Sequence, residues 1–498
     1  MKAWFWLALL ASTYCFGQKL DPRQKAVEEG LTTYIPVVGQ TKWTIRERMS
    51  AYKIPGVSIA VVHQGKLAWA KGYGWADTLR RIPVTPETLF SAGSISKPVA
   101  ALAALQLVEQ GKLALDTPIN RYLTSWQIAE NEFTRQRPVT LRHLLSHTAG
   151  ATQHGFWGIQ PEDPFPTVVQ IVNGDSIAQS RRVDINFLPG SQWRYSGGGV
   201  MIAQLAVMDQ TKKPYADFVR QTVFIRLGMT HSTFEQPLPA RYKDQAAWAY
   251  CRQNWFKGKP YVYPQQAAAG LYTTPTDLAK LLIELQRAYQ GKSTILSQSI
   301  ARAMLQPQSY NIFGHSGYSV DRMALDSTDM GLGFFLTQRT DGQSDQYFFH
   351  SGQNAGYVSM FIGSVHEGNG VVVMVNENDG TGIINEIVRS IAQVYQWPNV
   401  LLKAIEPLPV ESNQLAEYEG VYKRNDELIH LTQQGNHLVQ KGSTWTMGID
   451  AYPVGSDTIR FTDYVTTGVF LRDTHGKIKA CQGVLNGQVI WEMVKVTP

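Results

Sequence analysis

SISKPVAALAALQLVEQGKL, residues 94–113, predicts a helix that begins at a serine. Pro98 is tolerated in a first turn, where its missing N–H has no partner to lose, and Gly111 suits a C-terminal cap. Ser94 then stands at the helix N-terminus with Lys97 three residues on. Just upstream, residues 56–74 read GVSIAVVHQGKLAWAKGYG. Alternating apolar residues flank Gln64-Gly65, which predicts a hairpin leading into that helix.

Outward from this point the pattern stays mixed. Between about Pro118 and Thr340 helical periodicity recurs at LRHLLSH, GVMIAQLAVM and PTDLAKLLIELQRAY, separated by Pro- and Gly-rich loops. Strands return at QYFFH, GYVSMFIGS and GVVVMVN, the last two joined across a turn from His366 to Asn369, and a helix from Ile383 to Tyr395 follows. Sheet segments thus come from both ends of one domain, with helices inserted between. LLKAIEPLPVESNQ, with two prolines and no periodicity, reads as a linker. From Tyr418 to Val496 short runs spaced by turns predict a small antiparallel barrel or sandwich. The expected division is 1–17 leader, 18–400 main domain, 401–412 linker and 413–498 barrel.

At 498 residues, with 44% hydrophobic and 17% charged side chains, the chain is long enough for two folded domains. Its 46 basic and 40 acidic residues are spread without a Lys/Arg block, which argues against nucleic acid as a partner. MKAWFWLALLASTYCFG joins Lys2 to an apolar run from Trp4 to Leu10 and small residues at Cys15 and Gly17, the pattern of a secretory leader. The run falls short of the roughly 20 residues that span a bilayer, so the expected protein is exported, periplasmic or secreted, without a stable membrane span after leader removal. Cys251 and Cys481 would remain, too few for a disulfide framework.

The i,i+3 spacing of Ser94 and Lys97 puts hydroxyl and amine on one helix face. Burial lowers an amine's pKa, so a neutral Lys97 can take the serine proton, while the helix N-terminus favours a developing oxyanion. Two further elements follow in order. Arg194-Tyr195-Ser196-Gly197 lies after a Pro189-Gly190 turn and before a helical run, and His350-Ser351-Gly352 ends one strand just before another. An ordinary tyrosine titrates near 10 and needs adjacent cations to share its proton at neutral pH.

With these motifs, and with LRHLLSHTAG (141–150), FLPGSQWRYSGGG (187–199) and AAAGLYTTPTDLAKLL (267–282), the chain over residues 40 to 396 resembles the serine β-lactamase and penicillin-binding-protein superfamily. The likeness is to the branch holding class C β-lactamases, D-Ala-D-Ala carboxypeptidases, D-aminopeptidases and related esterases. It implies an α+β fold, an antiparallel sheet flanked by helices with an all-helical region beside it. It also implies Ser94 as nucleophile, Lys97 as its base, Tyr195 as proton shuttle toward the leaving group, and His350 where relatives carry lysine or histidine. The resemblance thus gives Lys97 and His350 the part of the cations beside Tyr195. Backbone N–H groups of Ser94 and Gln353 would form the oxyanion hole, and Trp193, Gly197, Ser351 and Gly352 would border the substrate. No cofactor or metal is implied; the substrate would be a small peptide, an ester or a cell-wall-derived compound. Gly197 departs from the family's usual Tyr-x-Asn and removes an amide that would contact substrate and lysine. The segment from about Leu408 resembles a lipocalin-like barrel, open to a part in capping the site or in assembly.

Rival readings have less behind them. His143 and His147 have the i,i+4 spacing of a metal pair but no acidic third ligand, which favours a structural role. No serine fits the G-x-S-x-G elbow of α/β-hydrolases. A β-lactamase of class C type, or a catalytically silent peptide or cell-wall sensor, uses the same scaffold, but a pure sensor has no need of Ser94, Lys97, Tyr195 and His350 together. Phe156, Trp157 and Trp193 are candidates for an apolar acyl pocket or for core.

Overall fold

A computed structural model describes residues 21–251, 260–309, 328–337, 346–398, 401–410, 412–442, 447–485 and 487–496; the expected leader at 1–17 lies outside the described residues. The hairpin is present as β1 (Gly56–His63) and β2 (Lys66–Asp77), turning through Gln64 and Gly65 at positive φ. β3 (Ile82–Pro83) follows, and a separate two-strand pair joins β4 (Phe90–Ser91) to β5 (Tyr272–Thr273). The remaining strands of the domain are β6 (Thr328–Met330), β7 (Phe335–Thr337), β8 (Tyr347–Asn354), β9 (Tyr357–Ser364) and β10 (Gly370–Val375). The main sheet has eight antiparallel strands in the order β3-β2-β1-β10-β9-β8-β7-β6. Val57 pairs with Val375 across β1 and β10, so the two ends of the domain meet mid-sheet and the helical region is inserted between them.

The central strands read as nearly continuous apolar runs because both faces are covered. Successive side chains point to opposite faces. Val57, Ile59, Val61 and Val373 enter one core with the helices Ile45–Tyr52 and Thr381–Val394; Ala60, Val62, Val372 and Met374 enter the other with Ser96–Glu109 and Pro275–Tyr289. On the first face Arg48 is buried. Its Nε and Nη2 donate to the two Glu386 oxygens at 2.7 and 2.5 Å, and Tyr52 Oη donates to the same carboxylate at 2.9 Å.

The C-terminal strands, from β11 (Gly420–Arg424) to β18 (Gln488–Val496), form a closed eight-stranded barrel, with β18 pairing back onto β11. Inward positions such as Leu431, Leu438, Ile459, Phe461 and Met493 fill it. The turn pattern had not suggested the helix Ser412–Tyr418, which places Leu415 and Tyr418 in the barrel core and stacks Tyr418 on Phe470, centroids 4.1 Å apart. The expected linker is held too: Ile405 N–H donates to Pro36 O at 2.7 Å and Leu408 N–H to Pro453 O at 2.8 Å. Ile35 N–H reaches Thr462 O at 2.7 Å, so the segment 33–38 is clasped between barrel and main domain. Cys251 and Cys481 are not joined in a disulfide. Among the described residues no helix is long and apolar enough to cross a membrane.

Candidate active site

Ser94 sits in a 3-10 turn, Gly93–Ile95, that runs directly into the α-helix Ser96–Glu109; the helix proper starts two residues later than the serine, not at it. The turn is locked from inside, where Ser96 Oγ donates to Gly93 O at 2.6 Å and accepts from Leu271 N–H at 3.0 Å. Outside, it lies flush against β8. Gly93 has φ +53, and a Cβ there would stand 2.6 Å from Gln353 N; a Cβ on Gly352 would stand 1.9 Å from Ala92 O. Both positions therefore require glycine. β7 pairs with β8 only at Phe348 and Phe349, so beyond His350 this edge of β8 meets the serine turn instead of a strand. That contact brings the backbone of Gln353 beside the Ser94 turn, as an oxyanion hole requires.

Lys97 Nζ lies 2.8 Å from Ser94 Oγ and donates to Ala268 O at 2.8 Å. The carbonyl is presented by the short helix Gln266–Ala269, whose Ala267 N–H is held by Gln204 Oε1 at 2.8 Å. Lys97 is only 3% exposed, and burial pushes its pKa down from 10.5 to about 7. The same Nζ stands 4.9 Å above the centroid of the Tyr195 ring.

Tyr195 precedes the helix Gly197–Thr211, whose N-cap is Ser196, with Ser196 Oγ accepting from Gly199 N–H at 2.9 Å. Its ring stacks on Phe335 at 6.2 Å and 8°. Trp193 is buried in a small cluster with Met330, Tyr195 and Phe335, where it supports the tyrosine from behind. His350 is 1% exposed, 6.2 Å from the Tyr195 ring. Its Nδ1–H donates to Ser351 O at 2.6 Å, leaving Nε2 as a bare, buried lone pair without a hydrogen-bond partner among the described residues. Burial, then the nearby Lys97 charge, pushes its pKa down to about 3. His350 is thus a neutral acceptor at physiological pH, which corrects the expectation of a second cation beside Tyr195. Ser351 is exposed at the edge and Gly352 buried under it.

At Gly197 a side chain would be crowded: a Cβ would lie 3.1 Å from His154 O and 3.1 Å from Phe156 Cε2. The loop is tied there, because Gly197 N–H donates to His154 O at 2.9 Å and Gly198 N–H to Gln153 O at 3.0 Å. Phe156 is half-buried against Gly197, while Trp157 is 78% exposed.

The two histidines read as an i,i+4 pair are separated. The helix Leu141–Leu145 ends before His147, which has φ +59. His143 caps that helix, its Nδ1 accepting from Thr140 N–H at 3.3 Å. His147 turns into the site, its ring 4.4 Å from that of Tyr195. His154 lies 4.9 Å from the same ring. Sequence reasoning gave His147 only a structural role, although LRHLLSHTAG was singled out, and did not name His154. Among the described residues no group of three or more His, Cys, Asp or Glu side chains is placed to hold a metal ion.

Comparison with known proteins bears on the family and the fold. The family model described as Beta-lactamase matches residues 42–396. Teichoic acid D-alanine hydrolase of Staphylococcus aureus is 28% identical over 231 residues, 46% of this chain and 54% of that protein, so the chain spans about half the length of this curated relative. Esterase EstB of Burkholderia gladioli is 28% identical over 300 residues, 53% of this chain and 72% of the esterase. Among solved structures, an octameric penicillin-binding protein homologue from Pyrococcus abyssi superposes with a TM-score of 0.62 at 22% identity, covering 91% of this chain and 98% of that one. A penicillin-binding protein from Bacillus halodurans gives 0.54 at 21% identity, covering 70% of this chain and 98% of that one. At these identities the solved structures speak for the fold.

Proposed function

The chain belongs to the beta-lactamase family, and from that premise we propose that it is an exported serine hydrolase that forms an acyl-enzyme on Ser94 with small esters or amides, esters foremost. The observation that carries the reading is the 2.8 Å approach of a buried Lys97 Nζ, with pKa near 7, to Ser94 Oγ. A neutral amine takes the hydroxyl proton as Oγ attacks the carbonyl carbon. The negative charge moves to the carbonyl oxygen, which backbone N–H groups of Ser94 and Gln353 receive. As the tetrahedral adduct collapses, the leaving oxygen or nitrogen takes a proton through Tyr195 from the protonated Lys97. Water then attacks the acyl-serine, giving up its proton to the same pair, and as the acid leaves Ser94 Oγ takes that proton back. His350 stays neutral and offers its Nε2 lone pair to a hydroxyl in the site.

Gly197 directs the preference. A side-chain amide at this position would bond a substrate's acyl-amide carbonyl, and this chain has a glycine there, with the loop at His154 and Phe156 packed close against it. Such a hydrogen bond to a charged or polarised group is worth about 1.5–3 kcal/mol, or one to two decades in rate. Short esters without that amide lose nothing by its absence. The name of one curated relative, an esterase, supports esters as the substrate class, and that of the other, a D-alanine hydrolase, supports hydrolysis that releases a small group. The lipocalin-like barrel is assigned no chemistry, since Ser94, Lys97, Tyr195, His350 and Gln353 all precede it. A hydrolysis panel of nitrocefin, p-nitrophenyl butyrate, D- and L-aminoacyl anilides and D-Ala-D-Ala peptides, with fluorophosphonate labelling, tests the reading. Label on Ser94 alone and esters one to two decades ahead of nitrocefin are expected; label that persists in Ser94→Ala would sink it.

A further inference from the structure

His147 holds the backbone of Tyr195 from both sides. Its carbonyl accepts from Arg194 N–H at 2.8 Å, and its Nδ1 accepts from Ser196 N–H at 3.2 Å. A ring nitrogen that accepts from an amide carries no proton, so the imidazole proton sits on Nε2. That Nε2–H is buried, in a side chain 2% exposed, and has no hydrogen-bond partner among the described residues. His350 is fixed in the opposite tautomer by its bond to Ser351 O, with Nε2 bare. Tyr195 therefore has near it one imidazole that presents a donor and one that presents an acceptor.

A buried donor left unmet costs free energy, and a non-glycine residue at φ +59 adds strain. A site that keeps both must hold them through surrounding structure. We infer that His147 is a positioning residue for the proposed hydrolysis: it sets the place of Tyr195 against Lys97 through the two backbone bonds and the ring contact. The inference rests on the serine-hydrolase reading and adds to it a residue outside the proton path. The groups facing its imidazole are Lys97, His350, His154 and Tyr195. None of them is a carboxylate that would favour an imidazolium, and protonation of Nδ1 would set N–H against N–H at Ser196.

The test uses the full chain. Fluorophosphonate titration counts functional Ser94; kcat per titrated site, KM and the pH–rate profile for a p-nitrophenyl ester are then compared in His147→Ala, His147→Asn and His147→Gln. Asparagine tolerates positive φ, and its Oδ1 takes the place of Nδ1 as acceptor for Ser196 N–H. Glutamine returns an N–H toward the Nε2 position but no acceptor near Nδ1. The expected result is a loss of about 10- to 100-fold in kcat per site for His147→Ala with KM within about twofold, the scale of a small misplacement in a reacting group. His147→Asn should recover most of it with the wild-type pH profile, and His147→Gln little. A folded His147→Ala with wild-type kcat per site overturns the inference, as does His147→Asn performing no better than His147→Gln. The second comparison decides the matter even where the alanine variant does not fold. A wild type that takes no label on Ser94 brings down the underlying reading instead.

Discussion

Two cations are buried on opposite faces of the main sheet, and they have been handled in opposite ways. Arg48 is met by both oxygens of Glu386 and by the face of Trp43, 4.1 Å from ring centroid to guanidinium carbon. Burial works against its charge, and the carboxylate outweighs burial, holding its pKa above the ordinary arginine value. Lys97 is met by a hydroxyl and a carbonyl, neither of which carries charge. Burial alone acts on it and brings it to about 7. The lesson is that the same loss of water makes one side chain a permanent ion and the other a base, and the choice lies in what stands opposite.

The sharpest way to break that contrast is Lys97→Met, which keeps the volume and removes the amine. Turnover of p-nitrophenyl butyrate should fall by about 10²–10⁴-fold, because proton transfer loses its base. Stability should move the other way. A lysine whose folded pKa is depressed costs stability fully below the folded value near 7, and the cost fades as pH rises toward 10.5, since only the unfolded chain binds the proton in that window. The variant should therefore melt higher than wild type, by at most about 4 kcal/mol at pH 7, with the gap closing by pH 10. Equal melting across that range would mean Lys97 is not desolvated.

On the other face, Glu386→Ala should do the reverse. Leaving Arg48 buried without its carboxylate costs about 3–5 kcal/mol in urea unfolding. Rate per fluorophosphonate-titrated serine should stay within about twofold, because the pair sits on the helices of the sheet face opposite the one that carries the Ser94 helix. If the rate per site falls with stability, the two faces are coupled and the contrast fails. A milder measurement sharpens it. With Lys97 as base, kcat/KM for an ester should climb roughly tenfold from pH 6 to a plateau above about pH 8, the limb centred near 7. A flat profile over that range would assign the base to another group.

The contrast also explains how far the sequence could be read. Ser94 and Lys97 were legible because both lie on one local helix start, and local spacing survives folding. Gln353 was legible only through resemblance, since its place depends on β8 arriving flush against Ala92 and Gly93, and that fit rests on glycines far apart in the chain. The place of His147 beside Tyr195 was out of reach of the sequence for a physical reason: i,i+4 spacing implies a shared face only while the helix continues, and here it stops at Leu145. The charge of His350 was misjudged because burial is a property of the assembled site. In the barrel, short runs spaced by turns were enough to expect an antiparallel barrel or sandwich, whereas the helix Ser412–Tyr418 has no such spacing to betray it.

The pairing of β1 with β10 has a consequence in time. On the ribosome, Val57 emerges more than 300 residues before Val375, its partner at the centre of the sheet. At roughly 5–20 residues per second the first hairpin waits about 15–60 s with both apolar faces bare. During that interval the hairpin has only itself to pair with, so the nascent chain passes through a long stage in which sheet edges are open to other chains. Slowing or crowding synthesis should therefore cost this protein yield at a step where the Ser94 turn does not yet exist.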